Sequence, residues 1–192
     1  MSNFYAFLDR MKYIRRWCIM RSVRDENILE HTGQVALFTH ALCEIENTVF
    51  GGNVNVERAV LYALYHESSE VITGDLPTPV KYSNGAIESS FHALEDQAVE
   101  RLSSLLPEAL RNAFSSVMNP DKDSKEYLFM KCADKLSAYV KCLEELRSGN
   151  REFSKAKETI EAELNGKNIP ALAYFMKEFI PEFQLTLDEL NV

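Results

Sequence analysis

Only 7 Gly and 6 Pro interrupt 192 residues, and no long stretch alternates apolar and polar side chains with the two-residue period of a strand. A chain so poor in breakers is expected to be almost all helix. The periodicity predicts a first helix over residues 3–13, an irregular Arg15-Arg16-Trp17 segment, and a helix from about Ile28 into Ile45. Gly51-Gly52-Asn53 ends that unit, and Asn55 is placed to cap a helix running through Val56, Ala59, Val60, Ala63 and Leu64 to His66 and Val71. From Thr73 to Pro79 regular helix is not expected, because two prolines bracket Thr78 and push the residue before each towards extended geometry. Further helices are predicted over 86–106, 107–117, 124–147, 151–164 and 169–179. No repeat, linker or low-complexity segment breaks the pattern. With 46% hydrophobic residues, 11 Phe and 8 Tyr, a single all-α domain over residues 1–192 is the expectation.

Charge narrows the function classes. A net charge of -8 and a pI near 5.1 argue against a protein that neutralises nucleic-acid phosphates or docks on anionic lipid. A small anionic substrate stays open, since a local cation can reverse the sign inside a pocket. Met1-Ser2-Asn3-Phe4-Tyr5 has neither a basic nor an apolar leader, and no apolar run approaches the ~20 residues of a membrane span. The expected location is the cytoplasm. Cys18, Cys43, Cys132 and Cys142 form no Cys-x-x-Cys pair, so they read as reduced packing thiols, with Cys18 the most accessible.

Four polar residues stand out against this helical background: His31, the adjacent pair His66-Glu67, and Asp134. Two imidazoles and two carboxylates are what a divalent metal site of mixed nitrogen and oxygen ligands requires, and a cation would offset the burial of unpaired carboxylates. On a helix His66, Glu67 and Glu70 share one edge. His40 falls about half a turn out of phase with His31 and is excluded, and His92, amid Glu88, Glu95 and Asp96, reads as a surface residue. Each residue also has a plainer explanation: a helical His is commonly a hydrogen-bonded structural side chain, and Asp134 between Lys131 and Lys135 fits a salt-bridged helix surface. The group is harder to explain that way, because a Pro-shaped loop follows the dyad at once.

From Arg16 onward the sequence resembles the HD-domain metal-dependent phosphohydrolases, specifically the YfbR-type bacterial 5'-deoxynucleotidases. The matching words include Arg16-Trp17, Glu30-His31-Thr32, Tyr65-His66-Glu67-Ser68-Ser69-Glu70-Val71, Gly74-Asp75-Leu76-Pro77-Thr78-Pro79, Ala133-Asp134 and Lys141-Cys142-Leu143-Glu144-Glu145-Leu146. The resemblance implies a helical HD-domain bundle that acts as a homodimer. It implies hydrolysis of deoxyribonucleoside 5'-monophosphates with a divalent ion such as Co2+ or Mn2+. Carried onto this chain, it makes His31, His66, Glu67 and Asp134 the metal ligands and Glu70 the catalytic glutamate. Arg16 becomes the phosphate-orienting cation, and Trp17 with Asp75, Leu76, Pro77 and Thr78 the sugar-facing wall. The dyad departs from the family's His-Asp by one methylene. Gly33, near ligand His31, would then relieve crowding from a displaced side chain. Two alternatives accompany this expectation: an HD-type hydrolase of nucleoside di- or triphosphates, and a nucleotide-binding homologue whose metal site Glu67 has compromised. Only Arg15, Arg16, Lys81 and Arg21 or Arg24 supply cations near the site by sequence, which favours a monophosphate.

Overall fold

The computed structural model describes residues 1–190. Two long helices form its axis, α2 (Ile28–Val49) and α8 (Lys125–Arg147). Asn27 starts α2 by accepting hydrogen bonds from the Leu29 and Glu30 amides at 3.0 Å each, and the Glu30 side chain reaches back to the Asn27 amide. That reciprocal cap satisfies donors that the first turn leaves free. Ile28, His31, Val35, Phe38, Leu42 and Ile45 then recur at three- and four-residue spacing, so one face of α2 is buried. On α8 the same spacing buries Phe129, Met130, Ala133, Leu136, Tyr139 and Val140.

The two faces meet in one core, to which α3 (Val56–Tyr65) adds Ala59, Tyr62 and Ala63. Asn55 caps α3 as expected, accepting from the Arg58 amide at 3.0 Å. Later helices, α9 (Ser154–Asn165) and α10 (Pro170–Glu178), close the core with Ile160, Leu164, Leu172 and Phe175. A smaller cluster of Phe4, Leu102, Leu106 and Met118 joins α1 (Phe4–Leu8), α6 (Gly85–Ser104) and α7 (Glu108–Met118). Among the described residues there is no strand, only an isolated bridge between Arg15 and Asn27. No described helix is long and apolar enough to cross a membrane.

Several boundaries differ from the sequence expectation. The first segment is α1 followed by a 3₁₀ turn over Asp9–Tyr13, and α2 runs on to Val49. The helix expected to continue to Val71 stops at Tyr65. A turn follows, with the Ser68 amide bonded to the Tyr65 carbonyl, before the one-turn α4 (Glu70–Thr73). Ser68 and Ser69 are buried there at 1% and 7% exposure, and no Gly or Pro marks the place where the helix ends. Downstream, Thr78 and Pro79 open another single turn, α5 (Thr78–Lys81). Proline is tolerated in the first turn because the amide it lacks would be unpaired there anyway. Gly74, with φ 73°, makes the sharp exit from α4.

Candidate metal centre

The break after Tyr65 shapes the site. His66 caps the end of α3 and Glu67 lies in the turn beyond it, so both side chains leave the helix towards the gap between α2 and α8. His31 faces that gap from the first turns of α2, and Asp134 from the middle of α8. One donor atom from each of the four lies within 4.8 Å of the other three. Glu67 Oε1 is 3.2 Å from His66 Nε2 and 3.7 Å from His31 Nε2, and Asp134 Oδ1 is 3.2 Å from His31 Nε2. Ligands each about 2.1 Å from one ion lie about 3.0 to 4.2 Å apart, depending on the angle between them. The extra methylene of Glu67 therefore does not take its carboxylate out of the cluster.

The imidazoles are oriented for ligation. Both Nε2 atoms are buried and make no aligned hydrogen bond. His66 Nδ1 lies 2.7 Å from the Ala63 carbonyl, which can only accept, so the proton sits on Nδ1 and the Nε2 lone pair is free. His31 Nδ1 lies 2.9 Å from Ser137 Oγ, and the Ser137 hydroxyl donates to Gln34 Oε1 at 2.7 Å. With the hydroxyl proton committed to Gln34, Ser137 accepts from His31 Nδ1 and again leaves Nε2 free. Two buried, unpartnered nitrogen lone pairs beside two carboxylates fit a divalent cation.

Neighbouring charges set the protonation states. Burial pushes the Glu67 carboxyl up, but the adjacent His66 outweighs it and holds the group well below the usual range. Asp134 is likewise held down against its burial, by Lys131 Nζ at 2.6 Å and by His31. Burial and then the Arg16 charge lower His31, whereas at His66 burial is outweighed by Glu67, Asp134 and the Ala63 carbonyl together, which raise the group. Glu70, 8% exposed, is pushed up to about 11 by burial and by the negative charge of Glu67, and its Oε2 has no partner. Glu70 thus joins the cluster from the start of α4, across a turn rather than along one helix edge.

Arg16 reaches the cluster from the irregular segment before α2. Its Nη1 is 3.6 Å from Glu67 Oε1 and its Nε 3.5 Å from Glu26 Oε2, the latter without aligned hydrogen bonding. Glu26 Oε2 also accepts from Trp17 Nε1 at 2.9 Å. Trp17 has φ 57°, the only positive value outside glycine among the described residues, a conformation costing roughly 1–2 kcal/mol for an L-residue. Its ring is half buried against Phe153, centroids 5.2 Å apart. Asp75 is half buried at the edge of the site, where burial raises its carboxyl and the Arg16 charge opposes that rise. Leu76 and Pro77 are half buried and Thr78 exposed; the Pro77 and Thr78 carbonyls bond only to amides of α5 and its end.

Some expectations need correcting. Arg15 is 70% exposed and pairs with Asp25 at 3.1 Å, Lys81 pairs with Glu95 at 2.8 Å, and Arg24 with Glu30 at 3.7 Å. The cations at the cluster are instead Arg16 and Lys131. A Cβ on Gly33 would meet nothing within 4 Å, so that glycine relieves no crowding. His40 and His92 lie away from the cluster, paired with Glu44 and Glu95. Asp134 is both salt-bridged and part of the cluster. Lys131 is the salt-bridge partner of Asp134 that the sequence suggested; the residues missed from sequence, Ser137 and Gln34, each stand three positions from a cluster residue, which is the spacing that could have revealed them, and Glu26 had no such signal.

Comparison with known proteins agrees over nearly the whole chain. A family model described as 5'-deoxynucleotidase YfbR-like matches residues 3–183. A 5'-deoxynucleotidase from Enterobacter sp. (strain 638) is 49% identical over 191 residues, covering 99% of this chain and 96% of its own. The 5'-deoxynucleotidase YfbR of Escherichia coli (strain SMS-3-5 / SECEC) matches with the same identity and coverage. Among solved structures, an HD-domain phosphohydrolase from Listeria innocua superposes with a TM-score of 0.84 at 20% identity, covering 99% of this chain and 92% of that one. The cyanophage S-2L HD phosphohydrolase, bound to dA and one catalytic Zn2+ ion, gives 0.65 at 21% identity, over 97% and 99%.

Proposed function

This chain belongs to the YfbR-like 5'-deoxynucleotidase family, and on that premise we propose that it releases phosphate from deoxyribonucleoside 5'-monophosphates. The observation that carries the proposal is the convergence of His31, His66, Glu67 and Asp134 on one buried point, with two free imidazole lone pairs and a guanidinium beside them. Those four residues would hold a divalent cation, Co2+, Mn2+ or a similar ion. Bound there, the ion supplies a polarised phosphoryl group and a water of lowered pKa.

The remaining work falls to side chains of this protein. The buried Arg16 guanidinium offers a planar pair of N–H groups to the non-bridging phosphoryl oxygens and offsets charge that grows on them as water attacks phosphorus. Glu70, buried at the start of α4 beside the cluster, can give a proton to the 5'-oxygen as the P–O bond breaks and take one back from the attacking water as its oxygen joins phosphorus. Trp17 and the Asp75–Thr78 loop would bound the sugar. A monophosphate is favoured because Arg15, Arg24 and Lys81 are paired away from the cluster and Lys131 is taken up by Asp134. We further propose one HD-type domain acting as a cytoplasmic homodimer; the exposed Leu29 and Leu37 of α2, at 46% and 71%, offer apolar surface for a second copy.

Metal analysis followed by phosphate release from mono-, di- and triphosphates, with cobalt or manganese added, tests the proposal. Deoxyribonucleoside monophosphates should be the best substrates. Asp134→Ala should lose both metal and activity while keeping its helical circular dichroism. Faster release from triphosphates, or metal content and turnover unaffected by Asp134→Ala, would overturn the assignment.

A further inference from the structure

We propose that a buried polar node, Lys141, Glu145 and Asn150, is a positioning device that holds Arg16 and Trp17 in place from the far side of their loop. The inference rests on the function proposed above. None of the three touches the metal cluster, although Lys141 and Glu145 lie in a sequence word shared with the family.

All three are nearly inaccessible, at 4%, 2% and 7% exposure. Apart from Asn150 Oδ1, which accepts from the Glu152 amide, their side-chain polar atoms are spent on each other and on the main chain of residues 21–24. Glu145 Oε2 accepts from the Val23 amide at 2.8 Å and Oε1 from the Arg24 amide at 3.3 Å. Lys141 Nζ donates to the Arg24 carbonyl and to Glu145 Oε1, both at 2.5 Å. Asn150 Nδ2 donates to the Arg21 carbonyl and to Glu145 Oε2, both at 2.7 Å. A buried ion pair is a poor way to stabilise a helix, since apolar residues of similar volume do at least as well. What apolar residues cannot do is satisfy the amides and carbonyls of an irregular loop.

That loop runs from Ile14 to Ile28. Its neck is closed by main-chain bonds from Arg16 to Glu26 (2.9 Å) and from Ile28 to Ile14 (3.0 Å), and the node grips its crown. Between neck and crown lies Trp17, in a backbone conformation that it would leave if the loop were free to relax. The node also reaches the indole. Phe153, fully buried three residues beyond Asn150, packs against the Trp17 ring, and Lys141 Nζ lies 5.9 Å from the Phe153 centroid. Backbone and ring of Trp17 are thus held by one cluster on α8 and the turn that follows it.

Trp17 is the single tryptophan of the chain, so its fluorescence reads the loop without reference to catalysis. Glu145→Gln should shift emission to the red and raise acrylamide quenching several-fold, with cobalt affinity within about twofold of wild type. In turnover KM should rise and the deoxyribose-to-ribose preference fall towards that of Trp17→Ala. Adding Glu145→Gln to Trp17→Ala should then cost no further selectivity. Should Glu145→Gln fail to fold, Asn150→Ala, which leaves the ion pair intact, serves for every measurement. A folded variant with unchanged emission and quenching overturns the proposal, as does a selectivity loss additive with that of Trp17→Ala. If emission shifts as expected but wild type hydrolyses no nucleotide, the loop is held by the node and it is the functional assignment that fails.

Discussion

Ser137→Ala should weaken metal binding by roughly 10- to 100-fold, the usual effect of losing a partner that orients a ligating imidazole. The structure explains why the effect should be of that size. His31 is 1% and Ser137 0% exposed, so water is not at hand to replace the 2.9 Å hydrogen bond at Nδ1. Glu26 Oε1 is 3.7 Å from Nδ1, beyond hydrogen-bond reach. Without Ser137 the imidazole can move its proton to Nε2, where it would point into the cluster and towards Asp134. In free energy the expected loss is about 1.4–2.8 kcal/mol. Removing Gln34 disturbs only the hydroxyl's orientation, so Gln34→Ala should have a smaller effect in the same direction. Competition for Co2+ against a chromophoric chelator measures the affinity, with circular dichroism as the check on folding. Wild-type affinity in a folded Ser137→Ala protein would refute the reasoning, because it would mean that something other than this relay fixes the tautomer.

At limiting metal, Glu67→Asp should match or exceed wild type in dAMP turnover, whereas Glu67→Gln, which keeps the shape but not the charge, should lose most of it; a metal titration of the three proteins compares them. Arg16→Ala should lower kcat by about 10²–10³-fold, and Arg16→Lys should recover little because one ammonium cannot bridge two oxygens; steady-state kinetics on both decides the point. Gly33→Ala should stabilise by up to ~1 kcal/mol, raising the melting temperature by about 2–4 °C, since open space surrounds its Cβ position; a lower melting temperature would refute this.

Much of the fold was legible because it follows from local rules. The period of α2, α6 and α8 and the Asn55 cap are written within a few turns of chain. The end of α3 was not legible, since no Gly or Pro marks it and the turn is closed by main-chain bonds, Ser68 to Tyr65 and Glu70 to Glu67. The convergence of His31, His66, Glu67 and Asp134 was anticipated from ligand chemistry and family resemblance. Spacing alone left a salt-bridged Asp134 equally open, and the Lys131 contact at 2.6 Å shows that this residue does both. Of the Lys141–Glu145–Asn150 node only the i,i+4 spacing of Lys141 and Glu145 is local. Its bonds to the loop join residues 117 to 129 positions apart, so those partners exist only once α8 has packed against the loop.

The pairing of Arg16 with Glu67 bears on the order in which ligands can arrive. In the protein alone, the guanidinium that would receive phosphate already faces Glu67 at 3.6 Å and Glu26 at 3.5 Å, and Lys131 is engaged by Asp134. A phosphate dianion arriving first would meet cations already committed to carboxylates, with Asp75 at the rim. Glu67 and Asp134 would instead hold a divalent ion that arrived first, leaving Arg16 with Glu26 alone and open to the nucleotide. The expected order of addition is ion before nucleotide, and nucleotide binding measured by titration calorimetry with and without Co2+ checks it. Because binding free energies are reciprocal, each ligand tightens the other by the same factor, so the nucleotide concentration needed for half-saturation falls as free ion rises.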